Sequence, residues 1–90
     1  MQTPIQVRID LEVGAGYVRY RSLAEGDRIA SSVRLSEDVV VDYDRDRKVI
    51  GIELISVISP AIATAKAFAA RNDLSFPDLE GTSPAKTAHR

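Results

Sequence analysis

Between Ile5 and Glu12 the chain alternates without a break. Ile5, Val7, Ile9 and Leu11 fall on one side of an extended segment, and Gln6, Arg8, Asp10 and Glu12 fall on the other. Successive side chains of a strand point to opposite faces, so this strict period of two marks a half-buried strand. Val13-Gly14-Ala15-Gly16 follows, and a two-residue turn through Gly14 and Ala15 suits type II′, which takes glycine first. That turn sets Leu11 opposite Val18 and Ile9 opposite Tyr20, with Asp10 facing Arg19 on the other side. A second turn over Ala24-Glu25-Gly26-Asp27 sets Ser22 opposite Ile29, Tyr20 opposite Ser31 and Val18 opposite Val33, with Leu35 continuing the row. Both turns keep the same residues inward, which is the consistency a real sheet requires.

Ser36-Glu37-Asp38 breaks the pattern, Val39 to Tyr43 forms a fourth strand, and Lys48 to Val57 a fifth after a loop over 44–47. In this register Val41 faces Ile50 and Val39 faces Ile52, with Leu54 extending the inner row. The outer row then holds Val40, Val49, Gly51, Ile55 and Val57. A strand pair apolar on both faces is expected to be covered twice, by a helix on one side and by another subunit on the other. Ser59 is placed to cap the helix and Pro60 to occupy its first position, where proline forfeits no hydrogen bond. Alanine-rich sequence carries that helix to about Asn72. Ile62, Ala65, Phe68 and Ala69 form a narrow apolar stripe, Lys66 faces solvent, and Leu74 and Phe76 are placed to dock beyond the helix end. The expected fold is α+β: an antiparallel β-meander of five strands followed by one C-terminal α-helix packed on the sheet. Residues 1–76 make a single domain, and 77–90, rich in Gly, Ser, Thr, Pro and charge, a disordered tail.

Bulk properties exclude several functions. The chain has 90 residues, a formal net charge of -1 and no cysteine. Near-neutral charge supplies no long-range attraction to nucleic acid or an anionic membrane. Without cysteine there are no disulfides, thiolate ligands or cysteine nucleophiles, which agrees with a cytoplasmic location. The alternating N-terminus lacks the apolar run of a signal peptide, and no segment reaches the roughly 20 apolar residues that span a bilayer.

The acidic stretch Asp42-Tyr43-Asp44-Arg45-Asp46, with Glu53 beyond it, matches four ligand positions of a calcium loop. The match fails at the sixth position, where the sharp turn needs glycine and this chain has Arg47. It fails again in register: Glu53 falls opposite Asp38 and Asp42 opposite Val49, about 13 Å apart at the strand rise. Asp44 is therefore assigned to the turn, with Gly14, Gly16 and Gly26 in the others. Only Asp44 and Asp46 remain as weak metal ligands, and no cofactor is expected. A glycosidase carboxylate pair would need a cleft this sheet does not offer. His89 lies alone near the chain end, and no serine has a histidine near it to build a triad. Gly14-Ala15-Gly16 precedes a strand, not the helix of a phosphate loop. Arg19, Arg21 and Arg34 share the outward parity and would make a basic stripe, but Asp10, Glu12, Asp27 and Asp42 belong to the same general face.

Val41-Asp42-Tyr43-Asp44, a charged turn, then Gly51-Ile52-Glu53 resembles the signature of the DUF2283 family of small uncharacterised bacterial proteins. Tyr17-Val18-Arg19-Tyr20, Glu25-Gly26 and Val33-Arg34-Leu35 resemble its earlier strands more loosely, so the likeness covers about residues 13–57. The family usually has glycine where this chain has Arg47, and an aspartate-containing start where it has Gly14-Ala15-Gly16. The resemblance implies a compact β domain and transfers no activity; Asp42, Gly51 and Glu53 are read equally as fold determinants. Three functional readings follow in order. The first is a non-enzymatic domain that self-associates, as a homodimer, through Val40, Val49, Gly51 and Ile55, or binds another protein. The second is a nucleic-acid or regulatory module using Arg19, Arg21 and Arg34. The third is an enzyme, which the lack of a nucleophile–base pair disfavours, with weak divalent-cation binding at Asp44 and Asp46 as a further alternative.

Overall fold

The computed structural model describes residues 1–23 and 28–79. It contains β1 (Gln6–Asp10), β2 (Ala15–Arg19), β3 (Ser31–Ser36), β4 (Val39–Tyr43), β5 (Val49–Leu54) and α1 (Ser59–Arg71). The five strands form one antiparallel sheet with a single C-terminal helix on one face, as the alternation implies. Their order is β1-β2-β5-β4-β3, so β2 does not pair with β3. The expected pairings of Tyr20 with Ser31 and Val18 with Val33 are replaced by Val18 with Ile52 and Val33 with Val41. The reason lies in β5, whose Val-Ile-Gly-Ile-Glu-Leu is apolar on both faces and gains most from flanking strands on both sides. The turn assigned to Ala24–Asp27, with Gly26, falls outside the described residues.

Both remaining hairpins form, each with a longer turn than expected. In the first, Asp10 pairs with Ala15, Ile9 with Gly16 and Val7 with Val18. Asp10 sets the turn: its Oδ1 accepts the amides of Glu12 at 3.0 Å and Val13 at 3.4 Å, and its carbonyl accepts that of Gly14 at 2.8 Å. Asp favours such turns because its side chain mimics a backbone acceptor. Gly14 stays in the turn with φ 71°, a value glycine adopts freely. Gly16 does not: it is a buried strand residue, and a Cβ there would lie 2.8 Å from Ile9 Cδ1. The slip from the expected register is an even number of residues, which preserves every inward-facing side chain.

In the second hairpin Val39 pairs with Leu54, Val40 with Glu53, Val41 with Ile52 and Asp42 with Gly51. The register then shifts, pairing Tyr43 with Val49 and leaving Ile50 as a bulged residue. A bulge reverses the facing of everything beyond it. Val49 therefore packs against the core instead of joining the outer row.

The helix lies over β5, β4 and β3 and buries Ala61, Ile62, Ala65, Phe68 and Ala69 in one core with Val18, Val39, Val41, Ile52, Leu54 and Val57. Its small residues permit a close approach to the sheet. The N-cap is Ile58, in extended conformation and with no side-chain cap bond, so Ser59 is the first helical residue and not the cap. Proline is still accepted beside it, within the first turn, where amides lack intrahelical partners. After the helix, Leu74 is buried and Phe76 packs on the core. Leu79, assigned to the tail by its composition, is buried as well. Among the described residues no helix is long and apolar enough to cross a membrane.

Candidate functional site

The face of the sheet away from the helix is built from two rows. One runs Gln6, Arg19, Gly51, Asp42, Ser32 across the strands, and the next runs Arg8, Tyr17, Glu53, Val40, Arg34. Tyr17 lies across Gly51, and its hydroxyl donates to Asp42 Oδ2 at 2.8 Å. Ser32 Oγ donates to Asp42 Oδ1 at 2.6 Å. Both carboxylate oxygens are thus engaged, and Asp42 is buried. A Cβ on Gly51 would run into the Tyr17 ring, so glycine here is what lets a β2 side chain reach β4 across β5. The Arg19 guanidinium stands 5.1 Å from the centre of the same ring, and its buried Nη1 has no hydrogen-bond partner among the described residues.

Electrostatics identify what this cluster does. Burial, then the hydrogen bond to Asp42 and the charge of that carboxylate, push the Tyr17 phenol far above its ordinary value. Such a hydroxyl keeps its proton and is neither a base nor a nucleophile near neutral pH. Tyr17, Ser32, Asp42 and Gly51 brace the sheet across β2, β5, β4 and β3.

The expected apolar outer row does not assemble. Val40 is half-buried and pairs with Glu53 on one side and Arg34 on the other, and Gly51 lies under Tyr17. Val49 faces the core, and Ile55 stands 39% exposed beyond the strand end. The register difference and the bulge at Ile50 together account for this. Arg19, Arg21 and Arg34 also part company. Arg19 lies on Tyr17, Arg34 donates to the Glu37 carbonyl at 2.7 Å, and Arg21 Nε stands 3.4 Å from Asp44 Oδ2. Arg21 instead rims a hollow of about 380 Å³ with Arg28, Arg45, Asp44 and Asp46.

The acidic residues are divided among separate duties. Asp44 Oδ1 accepts the amides of Asp46 at 2.8 Å and Lys48 at 2.9 Å, closing the β4–β5 turn. Those amide bonds, that of Lys48 foremost, and the nearby Arg21 hold its carboxyl below the usual range. Asp46 is exposed, and Asp42 serves the outer cluster. Among the described residues no three His, Asp or Glu side chains converge on one point to hold an ion.

One surface escapes alternation as a predictor. The apolar row of β1 faces the helix side, yet Val7 is 41% exposed, as are Ile5 before the strand at 59% and Leu11 and Val13 in the turn after it at 52% and 71%. Only Ile9 is half-buried against the core. A shallow groove of about 960 Å³ follows this strand, lined by 7–12 and by Tyr17 and Glu53. A helix about 10 Å wide cannot roof five strands spaced about 4.8 Å apart. Some edge had to stay bare, and the pattern of one strand does not say which.

A sheet tied together by Tyr17 and Ser32 on the buried Asp42, covered on one face by a helix and apolar along one edge, defines a small α+β domain. The chain belongs to the DUF2283 family: that family's model, described as a protein of unknown function, matches residues 6–57, which is the whole sheet without the helix. No curated protein and no solved structure matches it.

Proposed function

We propose that this protein is a non-enzymatic domain that acts by self-association, and that the bare apolar row of β1 is the surface used. One observation carries the reading: Val7 in β1, Ile5 just before it and Leu11 and Val13 in the turn that follows are large apolar side chains left 41–71% exposed along one edge of the sheet. Aligned apolar groups beside an unpaired strand edge favour association, since both the apolar area and the backbone groups gain by being covered. Engagement of Tyr17, Ser32 and Asp42 with one another supports the non-enzymatic part. The separate local partners of Arg19, Arg21 and Arg34 favour a protein partner over nucleic acid. Light scattering on a sizing column tests the proposal. The native chain is expected as a dimer and Val7→Lys as a folded monomer; a native chain that stays monomeric at high concentration overturns it.

A further inference from the structure

We infer that two copies join edge to edge through β1, antiparallel about a two-fold axis at Ile9, so that two five-stranded sheets become one. This rests on the self-association proposed above and adds its geometry. The first support is backbone phase. Tyr20 donates its amide to the Ile50 carbonyl and Gly14 accepts the amide of Val57, both at 2.7 Å. Even-numbered residues along β2 therefore turn their main-chain groups to β5, and odd-numbered ones turn to β1. Their partners Gln6, Arg8 and Asp10 face back toward β2, which leaves Val7 and Ile9 presenting their main-chain groups to the free edge.

The second support is a contrast between the two sheet edges. β3, at the other end, carries a register irregularity between Arg34 and Ser36 and is studded with Ser31, Ser32 and Arg34. Bulges and polar or charged side chains are how edges are kept from pairing. β1 pairs with β2 through Gln6–Asp10 without such a shift, and no described segment pairs on its far side.

The third support is self-complementarity, which selects the register. Outward-facing residues must pair with one another, so the two-fold can centre on Val7, Arg8 or Ile9. Centring on Arg8 sets two arginines directly opposite, and like charges across a ladder repel. Centring on Val7 sets Arg8 against Gln6 and Asp10 against Pro4, so no charge is matched. Centring on Ile9 sets Arg8 of each copy against Asp10 of the other. It also brings Val7 of each copy toward Leu11, which opens the 11–14 turn of the other. Asp10 is prepared for this, because both of its turn bonds fall on Oδ1 and leave Oδ2 to accept from arginine.

Single cysteines test the register cleanly, since the native chain has none. In the inferred dimer the two copies of residue 9 lie with Cα atoms about 5.5 Å apart, inside the range a disulfide bridges. Ile9→Cys is expected to oxidise to a covalent dimer. Arg8→Cys and Val7→Cys are displaced along the strand by about 7 and 13 Å and are expected to stay uncross-linked under the same conditions. Arg8→Glu, with its thermal melt confirming the fold, is expected to weaken the dimer about tenfold or more, because each charge pair becomes a repulsion. A native dimer that cross-links through Val7→Cys or Arg8→Cys, or through none of the three, overturns the register and leaves self-association standing. A native chain that is monomeric overturns both.

Discussion

At Gly51 a missing side chain is filled by the ring of Tyr17, and the consequence is measurable. Gly51→Ala is expected to destabilise the fold by about 1–3 kcal/mol, the usual cost of forcing volume into a packed site. Placed in a Tyr17→Ala background the same change is expected to cost much less, and chemical denaturation of the four chains of that cycle checks it. Tyr17→Phe keeps the ring but leaves Asp42 Oδ2 unpaired, and is expected to cost about 1–3 kcal/mol. Asp42 and Gly51 are conspicuous in the sequence as part of the Val-Asp-Tyr-Asp…Gly-Ile-Glu pattern. Their partner is not, because Tyr17 comes from 25 residues upstream and reaches Asp42 only when β2 lies beside β5. Arg47 adds a second test at this scale. It sits at φ 63° in the β4–β5 turn, where its guanidinium lies 6.0 Å from the Tyr43 ring centre. Arg47→Gly is expected to fold with undiminished stability, whereas Arg47→Val loses on the order of 1–2 kcal/mol because a β-branched residue resists that conformation.

The β4–β5 hairpin and the helix carry predictions of their own. Asp44 closes the hairpin turn as a carboxylate, with its folded pKa depressed by the Lys48 amide, the Asp46 amide and Arg21. A depressed folded value means the unfolded chain binds the proton first. The stabilisation is therefore complete above the ordinary aspartate value near pH 4 and drains away as pH falls through the folded one. Thermal melts from neutral to acid are expected to fall more steeply for the native chain than for Asp44→Asn. Tyrosine titrates in the opposite sense: Tyr20, buried with its hydroxyl on the Ser75 carbonyl at 2.7 Å, is raised to about 12. In the helix, Ser59→Ala is expected to cost less than the ~1 kcal/mol of a lost cap, because Ile58 holds the cap position with no side-chain bond. Elements were easier to read than their ends. The composition of 61–71 makes a helix whatever surrounds it, while the residue that enters first depends on how the chain leaves β5. The bulge at Ile50 was likewise hidden: it comes from the Asp44 turn and the Gly51–Asp42 pairing being satisfied together, and neither alone demands it.

For the molecule as a whole, the exposed apolar row along β1 is a by-product of coverage. The helix lies over β5, β4 and β3 and leaves the β1 row bare. If two copies share that edge, the melting temperature is expected to rise with protein concentration, as any equilibrium that binds only the folded state requires. A concentration-independent melt for Val7→Lys completes the test. Alternation by itself determined the inward face of β1, β2 and β4, because an even slip in register leaves every side chain on its own face, but it failed at Val49, which the bulge at Ile50 turns inward. The alanine-rich run after Pro60 likewise determined the helix, though not its cap. Strand order was decided only by tertiary structure: β2 and β3 are neighbours in sequence, but β5 buries more by lying between β2 and β4 than at the end of a meander. That choice brought Tyr17 to Asp42, dispersed the outer apolar row and exposed β1, because side chains far apart in the chain meet only after the sheet has chosen its centre.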